Sequence, residues 1–292
     1  MTEINLVEKK EKKSSLAKRS LQKFLSNKLA IVGLVIVLLM ILSAIFAPLL
    51  ASHDPNQIDM GKLNQAPGNG HLFGTDSTGR DLYSRLLYGG RISILIGISS
   101  ALTTSIIGTI FGLIAGYFGG LIDVILIRIS EVLQSFPMII LVMVLVTILG
   151  PSVSNMILVF TLIGWMTVFR IVRNEVLRLR EETYVDVNKA FGISDFAIMF
   201  RDILPNTLSP IIVATTINIA YFILQETGLS FLGLGVPTNV PTWGTIINAA
   251  KSITVIQMYK WQWIIPGLFI SLFVMSINFL GDGLRDALDP RN

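Results

Sequence analysis

The sequence predicts an all-α integral membrane protein with six transmembrane helices. The chain of 292 residues is 52% hydrophobic and only 14% charged, whereas a soluble chain carries about a quarter charged residues. It contains several apolar runs that approach the roughly 20 residues of helix needed to cross a hydrocarbon core of about 30 Å. Lys and Arg lie mainly at the ends of these runs, where topology signals belong. This distribution argues against nucleic-acid binding, which the pI near 9.3 would otherwise suggest.

Six apolar segments are long enough, or nearly long enough, to span the membrane. In chain order they are Leu29–Ala51, Ile92–Phe118, a third centred on Pro137–Leu149 that starts inside Leu121–Ser135, Met156–Val172, Ile211–Leu229 and Trp263–Leu280. We expect residues 29–292 to form one transmembrane domain. A basic leader, residues 1–28, precedes it. For its first part, Met1–Ser20, we favour a disordered tail over an amphipathic helix on anionic lipid. The first span is too long for the apolar part of a cleaved signal peptide, so it should stay as an anchor.

The distribution of Lys and Arg predicts the orientation of the spans. The leader is rich in lysine, and the loop after the fourth span carries five basic residues between Arg173 and Arg201. Both should lie in the cytoplasm. Residues 52–91 and 230–262 carry few basic residues for their length and should face outside. Six spans then place both termini in the cytoplasm.

The loop after the fourth span contains a polar segment, residues 181–206, which we call the elbow. Thr183 and Asp186 have the spacing of an N-cap and its third-position acid, which predicts a short helix starting at Tyr184. Gly192 can adopt the left-handed conformation that ends such a helix. A second helix should be capped by Ser194 and stop near Leu204, because Pro205 disfavours helix in the residue before it. A rigid elbow of this kind is typical of a surface offered to a partner.

Glycine spacing in the second span predicts close helix packing. Gly108, Gly112, Gly116 and Gly120 recur every four residues and would form a ridge on one helix face. Small residues let another helix approach closely, which favours association in lipid. We favour packing within the chain over a dimer contact.

Several charged residues lie close to membrane depth. Asp123, Arg128 and Glu131 precede the third span, and we interpret them as a structural ion-pair cluster at the membrane boundary. Glu226 lies within an apolar helix, where ionisable residues are often functional. Two interpretations of Glu226 stay open: it lines a water-filled pathway, or it lies at the outer interface.

The sequence lacks the motifs of common enzymes. It has no GxxxxGK[ST] phosphate loop, no HExxH and no GxSxG elbow. It has no cysteine, and its histidines are His53 and His71. We therefore expect no catalytic, cofactor-binding or metal site in this chain.

The elbow resembles the signature segment of permease subunits of bacterial ABC importers. That signature is Glu-Ala-Ala, a glycine, and later Ile-x-Leu-Pro. Residues 186–188 are Asp-Val-Asn here, and they are followed by Gly192 and by Ile203, Leu204 and Pro205. The chain departs from the pattern where Val187 and Asn188 replace the two alanines.

Longer motifs are similar to the C-type permease of oligopeptide and dipeptide importers. They are Phe73–Asp81 (FGTDSTGRD), Asp123 and Arg128 with Phe136–Pro137, Leu229–Gly235 (LSFLGLG), Pro241–Gly244 (PTWG) and Gly281–Arg291. The resemblance runs from about Leu29 to Arg291. It implies the type I ABC importer permease fold in a bacterial cytoplasmic membrane.

The resemblance also implies partners and roles. Members of this family pair with a second, homologous permease, and two ATPase subunits supply ATP and Mg²⁺ chemistry. An extracytoplasmic peptide-binding protein or lipoprotein delivers the peptide. The elbow residues expected to couple to the ATPase are Tyr184, Asp186, Val187, Asn188, Ala190, Phe191, Gly192, Leu204 and Pro205. Within this set, Phe191 would be the apolar anchor and Pro205 would direct motion into the fifth span.

Two other functions stay open at the level of sequence. The same fold can import nickel or metal-chelate complexes, and nothing in the sequence separates this cargo from peptide. An ion-gradient secondary transporter is the second alternative, with Glu226 as its candidate ionisable group.

Overall fold

The structure, a computed structural model, describes residues 20–288, and it is helical without a β-strand in that range. Its helices of eight or more residues are α1 (Lys28–Ile45), α2 (Leu82–Phe118), α3 (Gly120–Gln134), α4 (Met138–Leu149), α5 (Val153–Leu179), α6 (Thr183–Ala190), α7 (Leu204–Leu232) and α8 (Trp261–Leu288). The predictions for residues 1–19 of the leader and for the end of the tail, including Arg291, lie outside the described residues.

The helices confirm the predicted all-α membrane fold. Within the described range, α1, α2, α5, α7 and α8 are each long and apolar enough to cross a membrane. The third predicted span is instead two helices, α3 and α4, which meet at an angle of 88° across residues 135–137. Pro137 cannot donate a backbone hydrogen bond, so the helix breaks there and restarts at Met138. The bent pair makes the sixth span if it is counted as one.

Helix α2 starts at Leu82, well before the predicted start at Ile92. Asp81 caps it, because its carboxylate accepts a hydrogen bond of 2.8 Å from the Ser84 backbone N–H. The first turns of α2 carry Arg85 and Ser93, which are buried by contacts within the protein. A search for apolar runs therefore misses this part of the helix.

Three glycines let α2 pack closely along α5. A side chain at Gly108, Gly112 or Gly116 would come within 2.7–2.9 Å of a backbone carbonyl oxygen of α5. The contact lies within one chain. Gly120 does not share it, contrary to the predicted ridge of four. The chain leaves α2 at Gly119, and Gly120 has φ +57° in open space, where an added Cβ would meet no atom within 4 Å.

The charged cluster before the break is divided between two contacts. Arg128 and Glu131 form an ion pair of 2.8 Å on one face of α3. Asp123 instead binds Arg173 of α5, whose Nη2 donates to the second carboxylate oxygen at 2.6 Å. The Arg173–Asp123 pair fastens α3 to α5.

Candidate functional site

The first arm of the elbow is α6, and it begins one residue earlier than predicted. Thr183 is already helical, Glu182 takes the N-cap position, and no side chain caps this helix. The predicted cap by Thr183 with Asp186 is therefore wrong. The turn from α5 fixes the start instead, because the Glu182 N–H donates to the Leu179 carbonyl and the Val185 N–H donates to the Glu182 carbonyl.

Gly192 ends the first arm with a left-handed residue at φ +71°. The Gly192 N–H donates to the Lys189 carbonyl at 2.9 Å, and the Ile193 N–H donates to the Asn188 carbonyl at 3.1 Å. These two bonds form a Schellman motif, which satisfies carbonyls that the helix end would leave free. The space around Gly192 is open, so the backbone conformation, not crowding, sets the requirement for glycine.

The second arm is capped by Ser194, whose Oγ accepts a hydrogen bond from the Ala197 N–H at 3.4 Å. It does not stop near Leu204 as predicted. Residues 198–203 form a widened π-helical turn that leads directly into α7, and the Leu204 N–H donates to the Met199 carbonyl. Pro205 lies in the first turn of α7, where a missing N–H is tolerated. The path from Asp195 to Leu232 is thus helical throughout.

Both arms are seated in a socket formed by the adjacent ends of α2 and α5. Val185 of the first arm and Ile198 and Ile203 of the second are fully buried. They pack in one apolar cluster with residues of α2 and α5, including Leu113, Val172, Val176 and Leu179. Burial of this apolar surface holds the elbow against the ends of two spans.

Tyr117, near the end of α2, contacts both arms through polar groups. Its hydroxyl donates a hydrogen bond of 2.6 Å to the Asp195 carboxylate in the second arm. The Lys189 ammonium of the first arm lies 5.6 Å from the centre of the Tyr117 ring, within range of a cation–π contact. Tyr117 therefore links α2 to the whole elbow.

Asn188 joins the two arms of the elbow through a side-chain hydrogen bond. Its side-chain amide donates a hydrogen bond of 2.9 Å to the Asp202 carboxylate in the second arm. An alanine at this position could not make that bond. This contact gives a structural reason for an asparagine in the signature triplet.

The outer face of the elbow exposes large apolar side chains. Phe191 is 81% exposed, Phe196 is 68% exposed and Phe200 is 52% exposed. The rings of Phe196 and Phe200 lie parallel with their centres 6.3 Å apart. Tyr184 and Val187 are exposed on the same short segment. The sequence motif identifies Phe191 but not Phe196 and Phe200. Phe196 and Phe200 are four residues apart, and this spacing on a helix could have predicted that both rings lie on one face.

Two titratable residues of the elbow, Tyr184 and Asp186, are exposed to solvent. Asp186 is exposed and lies in the first turn of α6, where a carboxylate is favoured by the helix dipole. Partial burial, with the carboxylates of Glu182 and Asp202 nearby, raises the pKa of Tyr184. The Tyr184 hydroxyl therefore stays protonated at neutral pH and can donate a hydrogen bond.

Glu226 lies far from the elbow and is fully buried in α7. Its carboxylate accepts hydrogen bonds from Ser93 of α2 at 3.1 Å and from Ser230 at 2.7 Å. The Ser93 hydroxyl oxygen also accepts a bond of 3.0 Å from the Trp243 N–H. In this conformation Glu226 joins α7 to α2 and to the segment around Trp243. Both predicted positions of Glu226, in a water-filled pathway or at the outer interface, stay predictions.

The two histidines meet at the start of α2, at the opposite end from the elbow. Each of three residues, His53, His71 and Asp81, offers one metal-ligand atom, and these three atoms lie within 4.8 Å of one another. The cluster could therefore hold a metal ion. His71 Nδ1 lies 2.8 Å from the Asp81 carboxylate, and its ring stacks on His53. His71 Nε2 faces the Lys62 ammonium at 3.4 Å. These contacts already engage the His71 ring on both sides, as expected of a structural network.

Comparison with known proteins gives consistent matches along the chain. The family model described as "Binding-protein-dependent transport system inner membrane component" matches residues 108–292. A second model, "N-terminal TM domain of oligopeptide transport permease C", matches residues 15–67.

Curated relatives match over almost the whole chain. The oligopeptide transport system permease protein OppC of Bacillus subtilis is 40% identical over 97% of this chain and 93% of its own length. The dipeptide transport system permease protein DppC of Alkalihalophilus pseudofirmus is 43% identical, over 91% of this chain and 86% of its own length. These matches confirm the resemblance drawn from the motifs. The chain belongs to the family of inner-membrane components of binding-protein-dependent transport systems.

Proposed function

We propose that this chain is one of two permease subunits of an ATP-driven importer in the bacterial cytoplasmic membrane, with oligopeptides or dipeptides as cargo. The family match supports a translocation subunit rather than an enzyme. The names of the relatives, oligopeptide and dipeptide permeases, support the cargo. A second homologous permease would complete the pathway, and an external binding protein would deliver the peptide.

The proposed orientation places the elbow in the cytoplasm. Support comes from the basic residues in the loop after the fourth span and from the lysine-rich leader. The segment that precedes α2 and the segment between α7 and α8 then lie outside, where a binding protein would meet the permease.

The observation that carries the proposal is the aromatic surface of the elbow. Phe191, Phe196 and Phe200 expose large rings on a segment whose backbone is fixed by a Schellman motif and by the socket. Large apolar side chains exposed on a rigid surface are typical of a docking site. Buried aromatic anchors usually provide most of the binding energy of an interface. We assign this surface to an ATPase subunit, which would supply the phosphate-binding loop that this chain lacks.

The contacts of the elbow define how its motion would reach the membrane. Helical structure continues from Asp195 into α7 without a non-helical residue. Displacement of the second arm would therefore displace α7. Tyr117 ties the same arm to α2 through Asp195. ATP binding would favour one conformation only through contacts that differ between the two states. We propose that closure of the ATPases shifts the elbow with α2 and α7 as one unit.

Transport by the assembled importer tests this function. The chain is co-produced with its partner permease, ATPases and binding protein and reconstituted in vesicles. Uptake of radiolabelled dipeptides and oligopeptides should require ATP and the binding protein, and should persist when an ionophore removes the ion gradients. Uptake of nickel chelates but not peptides would contradict the cargo. Uptake that follows the ion gradient without ATP would contradict the mechanism.

The two alternative functions lack comparable support. The relatives are described as oligopeptide or dipeptide permeases, which favours peptide over metal chelate. Glu226, the candidate ion-coupling group, is engaged with Ser93 and Ser230 inside the protein.

A further inference from the structure

A cavity of about 500 Å³ lies beside the middle of α7. Its polar lining residues are Gln134 at the end of α3, Thr167 of α5, and Asn218 and Tyr221 of α7. Apolar side chains and Gly164 complete the wall, and none of the described residues that line it is charged. Gly164 and Asn218 are near the midpoints of α5 and α7, so the cavity lies beside the middle of these two helices.

The break between α3 and α4 opens onto this cavity. Phe136, within the break, and Met138, the first residue of α4, both line it. No side chain caps the start of α4. Irregular backbone at membrane depth is stable only where it is buried in protein or lines a water-filled cavity. Phe136 in the break is 54% exposed, so the break is not buried within this chain. We therefore expect water or a partner subunit, not lipid, on this side of the molecule.

Polar side chains on α7 point to the same conclusion. Asn218, Tyr221 and Gln225 follow one another at intervals of three and four residues, so they lie on one face of the helix. Within the described part of the chain, Asn218 Nδ2 and Gln225 Oε1 are buried atoms without a hydrogen-bond partner. A buried amide group without a hydrogen-bond partner destabilises the conformation that holds it. Of these two residues Asn218 lines the cavity, and rotation of its side chain would bring the amide to water or to a ligand with donors and acceptors.

We propose that this cavity is part of the wall of the peptide pathway and that Asn218 hydrogen-bonds the backbone of the peptide in transit. This inference rests on the proposed function. A side-chain amide offers both donors and an acceptor, which match the carbonyl and N–H groups that every peptide carries. An uncharged lining gives no strong preference for the charge of the cargo side chains. The site therefore suits peptides of varied sequence better than an ion or a metal chelate.

The chain contains no cysteine, so single cysteines can report on water access without a background. Asn218→Cys in the assembled importer should react with a charged, membrane-impermeant methanethiosulfonate reagent, and an added oligopeptide should slow that reaction at least threefold. Leu102→Cys, on the middle of α2 with a side chain that is 50% exposed and outside the cavity lining, is the control and should not react. Failure of the Asn218→Cys variant to react, or a rate that peptide does not change, would overturn the assignment.

Uptake measurements separate recognition from folding. Asn218→Leu should lower peptide uptake at least tenfold, whereas Asn218→Gln, which keeps the amide, should retain most of it. Both variants should assemble with the partners at unaltered levels. Equal uptake by Asn218→Leu and the unaltered importer would overturn the inference while leaving the proposed function intact. Absence of peptide uptake by the unaltered importer would instead overturn the proposed function.

Discussion

The elbow and the opposite end of the molecule use similar sequence elements in different ways. We call the second region the cap, residues 52–81 and 233–260. Both regions combine polar residues with glycine at positive φ, at one position in the elbow (Gly192) and at several in the cap. In the cap these groups bind one another and the starts of α2 and α8. In the elbow only the inner face is engaged, and the outer face presents aromatic rings. We interpret the polar network of the cap as a structural framework, and we propose the outer face of the elbow as the docking surface for the ATPase.

Asp76 lies at the centre of several hydrogen bonds within the cap. Its carboxylate accepts bonds from the Thr78 N–H and hydroxyl and from the Arg80 N–H and side chain, at 2.7–3.1 Å. Burial alone would raise the pKa of Asp76, but Arg80 and Thr78 outweigh that effect, and the pKa is lowered. Gln262 of α8 donates to the Thr75 carbonyl and to Asn64, which fastens α8 to this network.

The largest expected effect is at Gly79, in the cap. Gly79 has φ +80°, and a Cβ there would lie 1.9 Å from the Asp59 carbonyl oxygen. Gly79→Ala should therefore destabilise the protein by more than about 4 kcal/mol and remove it from the membrane fraction. Gly70→Ala is the matched control, because Gly70 has φ +86° with no atom within 4 Å. Equal abundance of the two variants on immunoblots would show that the cap is not a tight framework.

Gly192 is the corresponding position in the elbow. Its φ is +71° in open space, so a β-branched side chain meets backbone strain alone, about 1–2 kcal/mol. Gly192→Val should insert and assemble, yet lose peptide uptake and peptide-stimulated ATP hydrolysis. Gly192→Asn should retain more activity because asparagine tolerates this conformation. Normal uptake by Gly192→Val would count against the coupling role of the elbow.

Phe191 tests the docking surface directly. Phe191→Ala should weaken association with the ATPase by about 2 kcal/mol, roughly thirtyfold, because a buried aromatic anchor would be lost. Leu49→Ala is a control of equal exposure, since Leu49 is also 81% exposed but lies at the end of the first span. Affinity measured by light-scattering or interferometry on the detergent-solubilised permease pair would show the contrast. An equal loss of ATPase affinity in both variants would contradict the role of Phe191 as an interface anchor.

Tyr117 should give the smallest effect. Tyr117→Phe removes one hydrogen bond to Asp195, worth about 1–2 kcal/mol. We expect ATPase binding to be unchanged and the number of ATP molecules consumed per peptide to rise. Tyr259→Phe, a change of the same kind in the cap, should leave that ratio unaltered. An unchanged ratio in Tyr117→Phe would mean that motion reaches α2 by another route.

Sequence patterns predicted the spans better than their ends. Apolar runs identify membrane helices because lipid demands them, but the start of α2 is polar and buried, so the pattern fails at Arg85 and Ser93. The rule for the residue before proline predicted a stop near Leu204, and a widened turn at residues 198–203 accommodates Pro205 instead.

The site itself was predicted in part. Gly192 and Ser194 have local signals, because a left-handed residue and a helix cap depend on neighbouring residues. The contacts of Tyr117 with Asp195 and of His71 with Asp81 join residues whose spacing carries no such signal. Tertiary packing alone brings these pairs together.

Hydrogen–deuterium exchange on the assembled permease pair, with and without the ATPase subunits, tests the contrast between elbow and cap most directly. We predict that ATPase binding slows exchange of backbone amides in residues 183–200 and leaves residues 60–81 unchanged. Slowed exchange confined to the cap, or no change in the elbow when the ATPases are bound, would contradict the claim that the elbow is the docking surface.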